Sequence, residues 1–323
     1  MSAGSDAGAG RKALSSPETN CDSESDSGSK THLGSIEIRA CQGLDELEAC
    51  VRLQIETWGI DPSDTIPRRS FLVAQKIGGQ VIGAFEKAGT REEGPGTREQ
   101  RLPAPSSTGR SPGSQTGNSE AETLVGFAFS LPGVKSQQGI ASAYLHSHML
   151  AVSEAHRNRG IGVQLKLAQR SEALARGIRV MEWTFDPLEI KNAFINIHRL
   201  GVIVSRYYPN FYGLSSSRLQ GGLQTDRLMA EWYLDSPRVR SRSEEHPTER
   251  YAIERRIVVP ASINEWKSDE ASRGRAEAVQ LENRRTFQEA FNDGMTVLGF
   301  LRDADGNGVF ELGRIPTDPS KLE

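Results

Sequence analysis

Residues 143–177 read AYLHSHMLAVSEAHRNRGIGVQLKLAQRSEALARG, and their order of strand, turn and helix decides how the rest of the chain is read. Residues 144–152 alternate with period two. This sets Tyr144, His146, His148, Leu150 and Val152 on one face and Leu145, Ser147, Met149 and Ala151 on the other. From residue 161 the period changes: Ile161, Leu165, Ala168 and Ala175 recur at helical spacing, and Gly177 supplies a C-terminal stop. Between the two lies Arg157-Asn158-Arg159-Gly160-Ile161-Gly162. Two glycines at a strand-to-helix junction let backbone N–H groups approach a ligand closely, and a helix N-terminus adds roughly half a positive charge. The loop suits a phosphate.

Working outward, a second strand is predicted over 178–185. Asp186-Pro187-Leu188-Glu189 then reads as a helix start, with Asp186 as cap, and that helix runs toward Gly201. Val202 to Val204 and a tyrosine-rich loop follow, and Leu228, Ala230, Trp232 and Leu234 alternate along another strand over 226–234. Toward the N-terminus, 80–86 and 124–131 read as partner strands. Leu47, Val51, Ile55 and Trp58 mark a first helix that stops near Gly59, a second helical stretch ends near Ala74 to Lys76, and Ile36 and Ile38 mark a short first strand. Residues 1–34, rich in Ser, Gly, Asp and Glu, read as a disordered tail, and 88–122 as a flexible insert swelling a hairpin loop. Residues 35–235 form the main domain and 236–323 a C-terminal extension that packs on the same body. In that extension, 236–250 read as a linker or surface excursion, 255–259 as a strand, 270–292 as a helix and 296–315 as a hairpin. The turn Asp303-Ala304-Asp305-Gly306-Asn307-Gly308 imitates a calcium loop, but Arg314 stands where a bidentate Glu is required, so a hairpin turn is expected and no metal site.

Composition bounds the function. The chain has 323 residues, 36% hydrophobic and 25% charged, with 39 basic against 42 acidic side chains. It is globular and large enough for a substantial core. A net charge of -3 offers no electrostatic footprint for nucleic acid or an anionic membrane, so neither is expected as a partner. The cysteines, Cys21, Cys41 and Cys50, have no metal spacing; reduced thiols and a cytoplasmic location are expected.

The loop, with Arg157, Gly160 and Gly162 in the spacing Gln/Arg-x-x-Gly-x-Gly/Ala, resembles the acyl-CoA pyrophosphate site of the GNAT N-acetyltransferase superfamily. The wider run from WTFDPLEIKNAFINIHRLG (183–201) through YYPNFYG (207–213) to QTDRLMAEW (224–232) resembles one group of uncharacterised, predicted GNAT acetyltransferases. The resemblance covers nearly everything outside 1–34 and 88–122. It implies an α/β (α+β) fold, a mixed and largely antiparallel sheet flanked by helices, with a splayed parallel strand pair at its centre. It also implies acetyl-CoA as co-substrate and direct attack by a primary amine of a small molecule in a ternary complex. The cradle would be Arg157, Asn158, Arg159, Gly160, Ile161 and Gly162. Leu150, Ala151 and Val152 would pair with the pantetheine, a backbone N–H there would hold the oxyanion, and Asn192 would contact CoA.

The attacking amine must be neutral, so a base is useful. His146 stands where some members of the family carry a catalytic Glu, and His148 shares its face; lining the pocket is the alternative role for both. The family's leaving-thiolate tyrosine is replaced by Ile197. Tyr208, or its neighbours Tyr207 and Tyr212, or water would take that part, and these tyrosines serve equally well as packing. Trp183, Phe185 and Trp232 would line the acceptor pocket or belong to the core. Two other readings stay open: a GNAT-fold protein that binds acyl-CoA without turnover, and a dinucleotide-binding protein, in which Glu182 would be the acidic partner.

Overall fold

The computed structural model describes residues 31–33, 35–61, 64–87, 122–137, 140–213, 217, 220–243 and 251–315. The insert at 88–121 and most of the N-terminal tail lie outside the described residues. The chain runs β1 (Thr31–Leu33), β2 (Ile36–Ala40), α1 (Gly43–Trp58), α2 (Arg68–Lys76), β3 (Gln80–Lys87), β4 (Glu122–Gln137), β5 (Ile140–Val152), α3 (Ile161–Ala175) and β6 (Val180–Phe185). Then come α4 (Ile190–Ala193), continued as a π-helix over Phe194–Arg199, β7 (Ile203–Tyr208), β8 (Arg227–Tyr233), α5 (Pro237–Ser243), β9 (Arg255–Val259), α6 (Ile263–Ser268), α7 (Arg273–Asn292), β10 (Thr296–Arg302) and β11 (Gly308–Gly313). The strands form one sheet in the order β1-β2-β3-β4-β5-β6-β8-β7-β10-β11-β9. Among the described residues only the β5–β6 ladder is parallel. A doubly wound dinucleotide-binding sheet is parallel throughout its core, so this sheet is of another kind.

Helices cover both faces. On one, Leu47, Cys50 and Phe71 of α1 and α2 pack on Val81, Phe85, Phe127 and Phe129. On the other, Ile161 and Leu165 of α3 pack on Ile36, Ile38, Ile82 and Ala128. A third and larger core joins Trp183, Trp232 and Val204 to Phe287, Phe300 and Phe310 of the C-terminal part. Gly59 ends α1 as expected, at φ 57°, with its N–H bonded to the Ile55 carbonyl at 2.8 Å. Cys41 and Cys50 are free thiols with their sulfurs 3.9 Å apart.

Several expectations need correction. Thr31–Leu33 is not tail but a short strand antiparallel to β2. Asp186 does not cap the next helix: its Oδ1 accepts the Leu188 N–H at 2.8 Å, an Asx turn, and the helix starts only at Ile190. Such a turn competes with capping for the same carboxylate. Tyr207 and Tyr208 lie within β7 rather than in the loop after it. Residues 237–243 form a helix, α5, whose Arg238 is fully buried and donates from Nε to the Gly201 carbonyl at 2.9 Å. That segment is an anchor and not a surface excursion. In the hairpin turn, Asp303 Oδ1 accepts the N–H groups of Asp305 and Asn307, and Oδ2 accepts Asn307 Nδ2. The carboxylate that would face a cation is turned onto its own loop.

Candidate active site

The central feature is where β5 and β6 stop pairing. Their ladder holds only Leu145↔Met181 and His146↔Glu182. Beyond it β5 continues to Val152 along β4, while β6 turns away to pair with β8 as far as Phe185. The unpaired edge of β5 leads directly to the loop and the N-terminus of α3.

β5 also carries a bulge. Phe129 stands opposite Met149 and Ser130 opposite Ser147, so His148 has no partner in the ladder. One extra residue reverses the alternation downstream. Leu150 and Val152 therefore pack with Ile161 and Leu165 on the α3 side, while Met149 and Ala151 face α1 and α2. The unbroken alternation expected from the sequence is wrong from residue 149 onward, and Leu150 and Val152 do not share a face with His146.

A cavity of about 430 Å³ opens in the gap. Ser147, His148 and Leu150 form one wall, Trp183 to Asp186 the other, and Gly162 and Asn192 stand toward the loop. Trp58, Tyr212 and Arg227 close the side away from α3. Tyr212 is held by its hydroxyl, 2.8 Å from Thr184 Oγ1. Asp186 and Glu189 both line the cavity, but Lys267 of α6 binds them, at 3.1 and 2.8 Å from Nζ. Burial opposes the charge on Lys267, yet the two carboxylates raise its pKa above the ordinary lysine value.

The expected base and acid fare differently. His148 lines the cavity and His146 does not. His146 occupies the last ladder position beside Glu182, its ring centre 5.9 Å from that of His148. Burial, and secondarily the His148 charge, lower its pKa to about 4 against the pull of Glu182. Burial lowers His148 as well. Both rings are thus neutral near pH 7. Tyr208 packs against Phe211 and does not reach the cavity. Tyr207 is buried, with its hydroxyl donating to Asp226, and Tyr212 alone of the three lines the wall. Ile197 lies fully buried in the core.

The loop has the geometry for an anion. Asn158 and Gly160 take the left-handed conformation, at φ 67° and 81°. A Cβ on Gly160 would meet nothing within 4 Å. Among the described residues none accepts a hydrogen bond from the backbone N–H of Gly160, Ile161 or Gly162. These are the unsatisfied donors of a helix start. Arg157 donates from Nε to the Val152 carbonyl at 3.3 Å, and Asn158 Oδ1 accepts from Lys191. A second cavity of about 560 Å³ adjoins the loop, lined by Asn158, Gly160, Lys191, Arg199 and Arg302, with Phe194 stacked on His198 at 4.5 Å. The reading from sequence missed Arg302, which arrives from β10.

It also missed Lys166. This side chain is buried, donates to Ser147 Oγ at 2.8 Å and lies 3.6 Å from the centre of the Trp183 ring. The available signal was spacing: Gly162, Lys166, Gln169 and Ala173 share one helical face, and the last three are buried.

An open parallel pair in an otherwise antiparallel sheet, with a glycine loop and a helix N-terminus at its mouth, is the arrangement that the resemblance to the GNAT superfamily implied. No family model and no curated protein matches this chain. Solved structures similar to it include yncA from Salmonella typhimurium, whose acetyltransferase assignment is provisional, with its cofactor acetyl-CoA. That match has 18% identity over 62% of this chain and 95% of that one, at a TM-score of 0.42. An N-acetyltransferase from Staphylococcus aureus has 15% identity over 62% and 100%, at 0.39. A GNAT family acetyltransferase from Elizabethkingia anophelis with acetyl-CoA bound has 12% over 62% and 99%, at 0.37. Among the described residues no cluster of His, Cys, Asp or Glu could hold a metal ion, and no helix is long and apolar enough to cross a membrane.

Proposed function

We propose that this protein transfers an acetyl group from acetyl-CoA to a primary amine. The observation that carries the reading is the unpaired edge of β5 beyond His146, running from the cavity to the donor-lined loop. Such an edge can pair with the amides of pantetheine as with another strand. The N–H groups of Gly160 to Gly162 would take the pyrophosphate, and Lys191, Arg199 and Arg302 suit the remaining phosphate.

In a ternary complex the amine would enter from the side of Trp58, Tyr212 and Arg227. His148, neutral and on the wall, is the better placed of the two histidines to accept its proton. An N–H on the open edge of β5 would hold the carbonyl oxygen as it gains charge. The thiolate has Tyr212 or water as its proton source, since Ile197 offers none.

Ile197 also favours a second reading, binding of acyl-CoA without turnover. Calorimetric titration with acetyl-CoA, beside NAD and beside an Arg157→Ala, Gly160→Glu variant, tests the cofactor. Binding that disappears in the variant supports the reading, and heat from NAD alone refutes it. Thiol release across a panel of amines then separates transfer from binding.

A further inference from the structure

We propose that Lys166 is a site of self-acylation, its amine receiving the acyl group of a thioester laid along the open edge of β5. The inference rests on the acyl-CoA reading above.

Position carries it. On β5 the last ladder residue is His146 and the next is Ser147; on β6 they are Glu182 and Trp183. The Lys166 amine touches both of the residues that follow the ladder, with Nζ 2.8 Å from Ser147 Oγ and 3.6 Å from the Trp183 ring centre. It therefore stands at the apex of the opening, on the α3 side, and Lys166 lines the same cavity. From the mouth at Val152 back to Ser147 is five residues of strand, roughly 17 Å at about 3.3 Å per residue. An extended pantetheine arm anchored at the loop brings its thioester to that apex.

The amine is set up to react. Among the described residues no carboxylate pairs with it, unlike Lys135, which binds Glu182, and Lys267, which binds both Asp186 and Glu189. The bond to Ser147 Oγ uses an N–H and leaves the nitrogen lone pair unassigned. Burial without a counter-charge lowers its pKa well below that of an ordinary lysine, which favours the neutral form. In the step itself the Nζ lone pair attacks the thioester carbonyl. The C–N bond forms, the C–S bond breaks, CoA leaves as the thiolate, and the proton lost from Nζ neutralises it. No other reactant is needed. An amide does not pass its acyl group on, so the product is a protein with an uncharged Nε-acyl-lysine filling the acyl end of its cleft.

The full chain is incubated with acetyl-CoA near neutral pH and digested, and acetylation of each lysine is followed by mass spectrometry. Acetyl-CoA binding is measured in parallel by calorimetry. Lys76, exposed and outside both cavities, is the internal standard. An ordinary lysine is only about one-thousandth neutral amine near pH 7.4, so Lys166 should be labelled at least about tenfold faster than Lys76. Excess CoA should suppress labelling of Lys166 and leave Lys76 unchanged. Binding of acetyl-CoA with Lys166 unlabelled, or labelled no faster than Lys76, overturns the proposal while sparing the acyl-CoA reading. Labelling of Lys166 that ignores excess CoA overturns transfer from the cleft. Absence of binding removes the acyl-CoA reading and this inference with it.

Discussion

Arg284 of α7 grips both oxygens of Asp226, Nε to Oδ2 and Nη2 to Oδ1, each at 2.8 Å. Asp226 is fully buried and also accepts the Tyr207 hydroxyl and the Asn210 N–H. Removing one partner from such a pair leaves a buried charge uncompensated, which costs about 3–5 kcal/mol. Arg284→Met should therefore destabilise the protein by about 3 kcal/mol, and Tyr207→Phe by about 1 kcal/mol for one lost hydrogen bond. Denaturant unfolding measures both. Equal and small effects would mean that the C-terminal helix is not coupled to β7 and β8.

The histidine pair makes stability depend on pH. His146 has its pKa lowered to about 4, against ~6.5 when unfolded. Below pH 6.5 the unfolded chain binds a proton that the folded chain refuses, so stability is complete above 6.5 and is lost as pH falls toward 4. Allowing for the partial exposure of this ring, the loss is on the order of 1–2 kcal/mol. His146→Gln should flatten the slope of unfolding free energy between pH 6.5 and 4. A slope unchanged in the variant would assign the effect to other groups.

Gly160 separates fold from binding. Its φ of 81° strains any side chain, though nothing lies within 4 Å of a Cβ there. Gly160→Glu should cost about 1–2 kcal/mol of stability and still fold. Its carboxylate beside the anion cradle should weaken acetyl-CoA binding by about a hundredfold, of the order of two charge-assisted hydrogen bonds. Calorimetry on the folded variant reads this directly.

Arg302 brings the C-terminal hairpin to the cofactor. It lines the cavity beside the loop with Lys191 and Arg199. Arg302→Ala should weaken acetyl-CoA by about tenfold and lessen the salt dependence of binding, because one phosphate contact is lost. Dephospho-CoA should lose less than acetyl-CoA on the same substitution. An unchanged affinity would remove the hairpin from the site.

Asp303 decides the calcium question. Its carboxylate is already bonded to Asp305 and Asn307. Excess calcium should leave the thermal midpoint of the wild type unchanged, whereas Asp303→Ala should lower that midpoint without calcium. A midpoint that rises with calcium would restore the metal reading.

Local pattern was enough for the helix at Ile161–Ala175, its loop, most strands and the hairpin at 296–315, because periodicity and turn residues are properties of neighbours in sequence. The same holds for Gly160 and Gly162, whose lack of a side chain is visible without any fold. What the residues alone could not yield is what depends on partners far along the chain. The β5–β6 ladder exists only once β6 arrives, and because it ends at His146 it leaves His148 rather than His146 on the cavity wall. Whether Tyr208 or Tyr212 reaches the wall depends on where β7 ends, which Asp226, 16 residues beyond Asn210, and Arg284, 58 residues beyond Asp226, help to set. Lys166 shares a helical face with Gln169 and Ala173, but only the parting of β5 from β6 puts its amine at the end of a cleft. Arg302 likewise acquires a place at the loop only because β10 joins the sheet beside β7. The order of elements follows from local chemistry, while the chemistry of the site comes from strands that meet and then separate, a relation between segments that no single segment encodes.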